Sequence, residues 1–251
     1  MEALGAELRE PEAAHLGNVP ALPSVARARG VVIRDMNNVV RVHPLDLDVH
    51  PGEIVGIAGV EGSGTRELLR VLAGRTAIES GTLDLPSKVG FVPEARHHEA
   101  VALDFSLSEN VALRGAGHRR GIANWAAFRE RTQTLIARFD IRASGPDAAV
   151  RVLSGGNQQK LVLARELDGA PSLLIAENPT RGLDVRAAAG IHARLRAARS
   201  AGMGIVLYSS DLDELLLLAD RVLVMFNGSL TAMPLDRVAI GRAMLGAVSD
   251  R

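Results

Sequence analysis

The sequence predicts an α/β fold: a parallel core sheet, an antiparallel β subdomain ahead of it and an inserted helical subdomain. Short, nearly all-apolar runs recur at Ile54–Ala58, Leu173–Ala176, Ile205–Tyr208 and Val222–Phe226, the mark of strands buried on both faces. Helical patterns separate them, and alternation of this kind implies a parallel sheet covered on both sides. A mostly helical block from about residue 95 to 158 interrupts the alternation and reads as the insertion.

Residues 1–29 carry Pro11, Pro20 and Pro23 without clean periodicity and are expected to form a tail or linker with one short helix. Val31–Ile33, Val39–Val40 and Leu45–Val49 form a β-rich stretch, closed by a turn at Pro51-Gly52-Glu53. After the Ile54–Ala58 strand come a Gly-rich loop and a helix over Glu67–Ala73, ended by Gly74. Val89–Val92 is a further strand. Helices are expected over Leu107–Leu113, Ala123–Phe139, Leu161–Leu167, Ala187–Ser200 and Leu212–Leu218, and Asn227-Gly228 ends the last strand. Trp125 and Phe128, at helical spacing, are expected in the core of the insertion.

The 251 residues suffice for one large domain or two small ones. Lys+Arg and Asp+Glu are 29 each, so no net field draws the chain to nucleic acid or to an anionic membrane. Cys is 0, which excludes disulfides and Cys-ligated metals. No apolar run reaches the roughly 18 residues of a spanning helix, and the acidic start lacks a signal peptide's order. His97 and His98 are read as solvated loop residues rather than metal ligands.

The segment Gly59-Val-Glu-Gly62-Ser63-Gly64-Thr65-Arg66-Glu67 follows a strand and opens a helix, the setting a phosphate loop needs. Glycines permit the tight path, and successive N–H groups with the helix N-terminus face an anion. The G-x-x-x-x-G spacing is present, but Thr65 stands where such loops place Lys and Arg66 where they place the metal-binding hydroxyl. Losing the lysine should weaken a triphosphate about ten- to a hundredfold. Alone, the segment fits either a phosphate cradle or a ligand-free strand-to-helix turn.

A second constellation decides between them. Leu153-Ser154-Gly155-Gly156-Asn157-Gln158-Gln159-Lys160 precedes a helix, and Glu177-Asn178-Pro179-Thr180-Arg181-Gly182-Leu183-Asp184 follows a buried strand. Together they resemble the ATP-binding domain of ABC transporters, in the branch of simple-sugar and nucleoside importers. Val92-Pro93-Glu94-Ala95-Arg96 resembles that family's Q-loop, and Ser209-Ser210-Asp211 stands at its H-loop. The resemblance covers about residue 30 to the end, and the chain looks like the second half of a two-cassette polypeptide, with residues 1–29 as the link. A split gene, a decayed gene and an excised fragment all fit an unfused chain.

The resemblance implies a P-loop NTPase-type core, ATP and Mg as cofactors, and head-to-tail pairing of two cassettes. It implies docking on membrane permease subunits at the cytoplasmic face of the membrane, with a solute-binding protein acting indirectly. The permease contact would lie near Arg96–Asp104. Nucleotide-binding positions map to Gly59, Gly62, Ser63, Gly64, Thr65, Arg66 and Glu67, and the signature offered to a partner's ATP to Leu153, Ser154, Gly155, Gly156, Asn157 and Gln158. Leu183 and Asp184 map to the D-loop, where Asp184 is an interface residue, a helix N-cap, or both.

The departures cluster on one side. The metal-binding Asp becomes Glu177, the water-activating Glu becomes Asn178, the H-loop His becomes Ser210 and the Q-loop Gln becomes Glu94. No aromatic residue lies between Gly30 and Gly52 to stack an adenine. An amide cannot take a proton from water, and losing a general base costs about 10²–10⁴ in rate. No catalytic position is intact, whereas the signature is. The expectation is a chain poor at its own ATP hydrolysis that completes a competent partner's site. A non-catalytic scaffold or regulatory domain is the alternative, and a soluble role outside transport, as in chromosome or ribosome ABC proteins, a third.

Overall fold

A computed structural model describes residues 23–247; the tail expected over residues 1–29 lies outside them up to residue 22. Strand β1 (Ala26–Arg34) starts four residues ahead of the expected domain boundary at residue 30. Its alternation of buried Ala26, Ala28, Val31 and Ile33 carries the strand upstream of the all-apolar run. The two expected strands at Val39–Val40 and Leu45–Val49 are one, β2 (Val40–Val49). Pro44 does not break it, because β2 is the edge of its sheet and a register shift against β1 spans the proline. With β4 (Ser80–Asp84) these strands form the antiparallel three-stranded sheet β2-β1-β4.

The second sheet has six strands, β3 (Ile54–Gly59), β5 (Val89–Val92), β6 (Leu173–Glu177), β7 (Gly204–Tyr208), β8 (Arg221–Phe226) and β9 (Ser229–Met233), ordered β5-β6-β7-β3-β8-β9. All neighbours are parallel except the β8–β9 hairpin. Because successive side chains point to opposite faces, each central strand feeds two cores. Val55, Ile57, Leu173, Ile175 and Val206 pack against α1 (Thr65–Leu72) and the small sheet. Ile54, Ala58, Leu174, Ala176, Ile205 and Leu207 pack on the other face. That face is covered by α5 (Gly155–Leu167), α6 (Val185–Ser200), α7 (Leu212–Leu218) and α8 (Arg237–Met244). Each such side chain contributes about 1.5–3 kcal/mol on burial.

The insertion between β5 and β6 holds α2 (Arg96–Glu99), α3 (Leu107–Leu113) and α4 (Trp125–Phe139), and α5 leads back to the sheet. Residue 158, the expected end of the insertion, falls inside α5, which runs on unbroken to Leu167. Trp125 and Phe128 are not core. Trp125 is 44% exposed and meets Phe128 at a tilt of 53°, while α4 buries Thr132, Leu135, Ile136 and Phe139. The first turns of α4 overhang the packed face, and the Arg119 guanidinium covers Phe128 at 4.6 Å.

Candidate functional site

The C-terminal ends of β3, β6 and β7 meet at one edge of the main sheet, where ligand sites of parallel sheets lie. Gly59 ends β3, and the loop to α1 turns back through Gly62 and Gly64, at φ 80° and 100°. A β-carbon on Gly64 would run into the Arg41 carbonyl of β2, so the close approach and the left-handed backbone both require glycine. The loop shape suits an anion, but its side chains do not. Thr65 is buried and its Oγ1 lies 2.9 Å from Ser63 Oγ, tucked beneath the loop. Arg66 does not turn back into the loop; it reaches away to Glu99, 2.9 Å from Oε1. Glu67 follows in the first turn, where a carboxylate suits the helix end and opposes an incoming phosphate.

Glu177 closes β6 and is buried, and desolvation raises its pKa above the ordinary glutamate range despite Arg70 and Arg66 nearby. Among the described residues no three His, Asp or Glu side chains converge on one point. With one desolvated carboxylate, no phosphate-reaching lysine and no hydroxyl at position 66, these side chains do not fit magnesium and a triphosphate.

The substituted positions instead bond to one another. Asn178, buried at a left-handed φ of 43°, extends the β6–β7 ladder through its N–H to the Tyr208 carbonyl, 2.8 Å. Its Oδ1 accepts the Ser210 N–H at 2.7 Å, and its Nδ2 donates to Glu94 Oε2 at 2.6 Å. Arg181 completes the Glu94 carboxylate with an ion pair. A glutamate at 178 could not donate to Glu94, so the two departures are complementary. The Ser210 side chain is exposed. Tyr208, missed in the sequence, points its hydroxyl at the Gly59 carbonyl, 3.4 Å, and burial raises its pKa.

The second constellation presents a different surface. Leu153 is buried and Ser154 exposed, and Gly155 starts α5. Ser154 does not cap the helix with its side chain; its hydroxyl accepts from Asn157 Nδ2 at 2.9 Å, and Asn157 Oδ1 accepts the Arg142 N–H at 2.9 Å. The first N–H groups of α5 therefore stay available to an anion. Gln158 is buried, donating to the carbonyls of Val150 and Leu153 at 3.3 and 3.2 Å. Asp184 is the N-cap of α6, its Oδ1 accepting the Ala187 N–H at 2.8 Å, and Leu183 packs against the core.

No hydrogen bond or ion pair joins the Gly59–Glu67 loop to the Leu153–Gln158 turn directly among the described residues. Between them stands α2. His97, expected to be solvated, is exposed on its outer side but sits with Nε2 2.7 Å from Gln158 Oε1. Nothing local in the sequence signals that pairing. A groove of about 360 Å³ opens elsewhere on the insertion, lined by Lys88, Val111, Arg114, Phe128, Arg131 and Arg165.

The ABC transporter family model matches residues 42–181. The nucleoside import ATP-binding protein NupA of Lactococcus lactis is 37% identical over 82% of this chain and 44% of its own length. The guanosine import ATP-binding protein NupO of Bacillus subtilis is 37% identical over 81% and 43%. The ribose import ATP-binding protein RbsA of Pseudomonas putida is 38% identical over 88% and 46%. The chain thus spans under half the length of these relatives. Among solved structures, the ATP-binding cassette MJ0796 bound to ADP and Pi superposes with a TM-score of 0.70, 21% identity, covering 84% of this chain and 99% of that one. An inward-facing putative metal-chelate type ABC transporter superposes at 0.75, with 19% identity, 90% and 88% covered.

Proposed function

Because the chain belongs to the ABC transporter family, we propose that it is one cassette of an importer for nucleosides or simple sugars, acting as the signature donor of a two-cassette motor. The carrying observation is an asymmetry. Asn178 and Arg181 are bonded to Glu94, and Arg66 to Glu99. The Ser154–Gly156 turn instead keeps its helix N-terminus free of a side-chain cap. Magnesium and ATP are bound by the phosphate-loop side of a competent partner cassette. This chain closes over the γ-phosphate with Ser154, Gly155 and Gly156, whose N–H groups lie at the positive end of α5. Its own loop binds ATP weakly at most and hydrolyses it poorly.

The relatives' names support the solute class, and a permease with its solute-binding protein would choose the solute. The permease docks on the insertion, near residues 96–104, and the chain is then a peripheral subunit on the cytoplasmic face of the membrane. No helix among the described residues is long and apolar enough to cross it.

ATP turnover by a competent cassette, with and without this chain and beside the chain alone, tests the reading. A silent chain that raises its partner's rate is expected. Turnover by the chain alone overturns it, and a partner rate that does not respond points to the scaffold reading.

A further inference from the structure

The four residues of α2 touch both halves of the site. On one side Glu99 takes two guanidinium groups. Arg66 Nη2 and Arg70 Nη2 donate to its Oε1 at 2.9 and 2.8 Å, and Arg70 Nη1 stands 2.7 Å from Oε2. The Arg70 hydrogen bond holds this carboxyl below the ordinary glutamate range against the opposing pull of burial. On the other side His97 meets Gln158 on α5. Arg96 reaches the start of that helix, its Nη2 2.9 Å from where a β-carbon on Gly155 would stand. One step further, the Ala100 carbonyl accepts from Arg165 Nη1 of α5 at 2.6 Å.

A single helical turn has no stability of its own. The place of α2 is therefore set by these lateral contacts, and the strongest of them is the charge-assisted clamp on Glu99. The effect continues past His97. The side chain of Gln158 is hydrogen-bonded to the carbonyls of Val150 and Leu153, so whatever fixes Gln158 fixes the chain entering Ser154.

We propose that Arg66 and Arg70, by clamping Glu99, make α2 a strut that positions the Leu153–Gln158 turn through the His97–Gln158 contact. Arg66 stands where the family resemblance places a metal-binding hydroxyl, and here that position serves the surface shown to a partner instead. Glu99 and His97 are positioning residues: they act through Arg66, Arg70 and Gln158. The structural claim stands on the contacts alone; its effect on turnover rests on the signature-donor reading above.

The test uses the full chain and two readouts. The first is amide hydrogen exchange at Leu153 and Gln158, whose N–H groups are bonded to the Val150 and Ser154 carbonyls. Glu99→Gln and His97→Ala should each speed exchange there, by about two- to thirtyfold for a network of this kind. The amides of β3, β6 and β7 should not change. The double variant should be no faster than the faster single, because both act through one contact. Unchanged exchange at the turn, an equal rise across the core strands, or additive effects would each overturn the strut. The second readout is turnover in the assembled pair, where Glu99→Gln should lower the partner cassette's kcat by a similar factor and leave its nucleotide Kd unchanged. An unchanged kcat beside a loosened turn refutes the turnover effect. A partner that the unaltered chain fails to stimulate refutes the signature-donor reading, and the exchange result still judges the strut.

Discussion

Asn178 ties two separate segments together through one side-chain amide. Its amide donates to Glu94 and accepts from the Ser210 backbone, a pair of roles no carboxylate can fill. Asn178→Glu, which would restore a general base in name, sets a second carboxylate against Glu94 inside a buried site. We expect no gain in ATP turnover and a loss of about 1–3 kcal/mol in stability, read by denaturant unfolding. Two glutamates also predict a pH signature. Glu99 has a lowered folded-state pKa, so its stabilisation is present above the ordinary glutamate range and is lost as pH falls through the folded value. Glu177 has a raised one, so the native state favours the proton and stability is lost as pH rises through its folded value. Melting temperatures of Glu99→Gln should therefore fall less than those of the unaltered chain on acidification. Glu177→Gln should melt higher than the unaltered chain at pH 8, with the advantage gone below the ordinary glutamate range of about 4.3. Opposite trends would show that these groups titrate differently.

The elements that the sequence makes plain are the ones buried on both faces. Ile54–Gly59, Leu173–Glu177 and Gly204–Tyr208 are so apolar that neither turn nor surface helix competes. Those that escaped are exposed. β4 reads Ser-Gly-Thr-Leu-Asp, with only Leu83 partly buried, and β9 is almost as open. α8 buries only Ile240 and Ala243 and carries Gly241 within it. The motif residues were legible because they lie in consecutive runs. The bonds that give them meaning were not. Arg66 with Glu99, Glu94 with Asn178 and His97 with Gln158 join separate segments, and only the order of strands in the sheet brings them together. Close packing behind the site makes its own prediction. A β-carbon on Gly56 would stand 2.9 Å from Ala219 Cβ and 3.2 Å from Val222 Cγ2. Gly56→Ala should cost about 1–3 kcal/mol in denaturant unfolding, since β3 cannot retreat from α7 and β8 without disturbing both cores.

For the molecule as a whole, the net charge of zero leaves no long-range field to gather an anionic nucleotide, so any affinity must come from local contacts. The loop supplies backbone N–H groups and little else. A ligand that binds only the native state raises its melting temperature in proportion to the logarithm of its saturation. Millimolar ATP should therefore shift this chain's melting temperature far less than that of a competent cassette, and magnesium should add nothing to the shift. A magnesium-dependent rise of several degrees would mean that Glu177 holds the ion after all.

The bond that Asn178 donates to Glu94 has a corollary for change at the two positions: which of them alters first decides whether the intermediate holds together. Glu94→Gln taken first leaves an amide that can still accept from Asn178, and the fold tolerates it. Asn178→Glu taken first adds a second carboxylate beside Glu94, which has only Arg181 to offset it, and must pass through a weaker protein. The double change is thus a path with one passable direction, and a library randomised at both positions should recover the single change Glu94→Gln far more often than the single change Asn178→Glu.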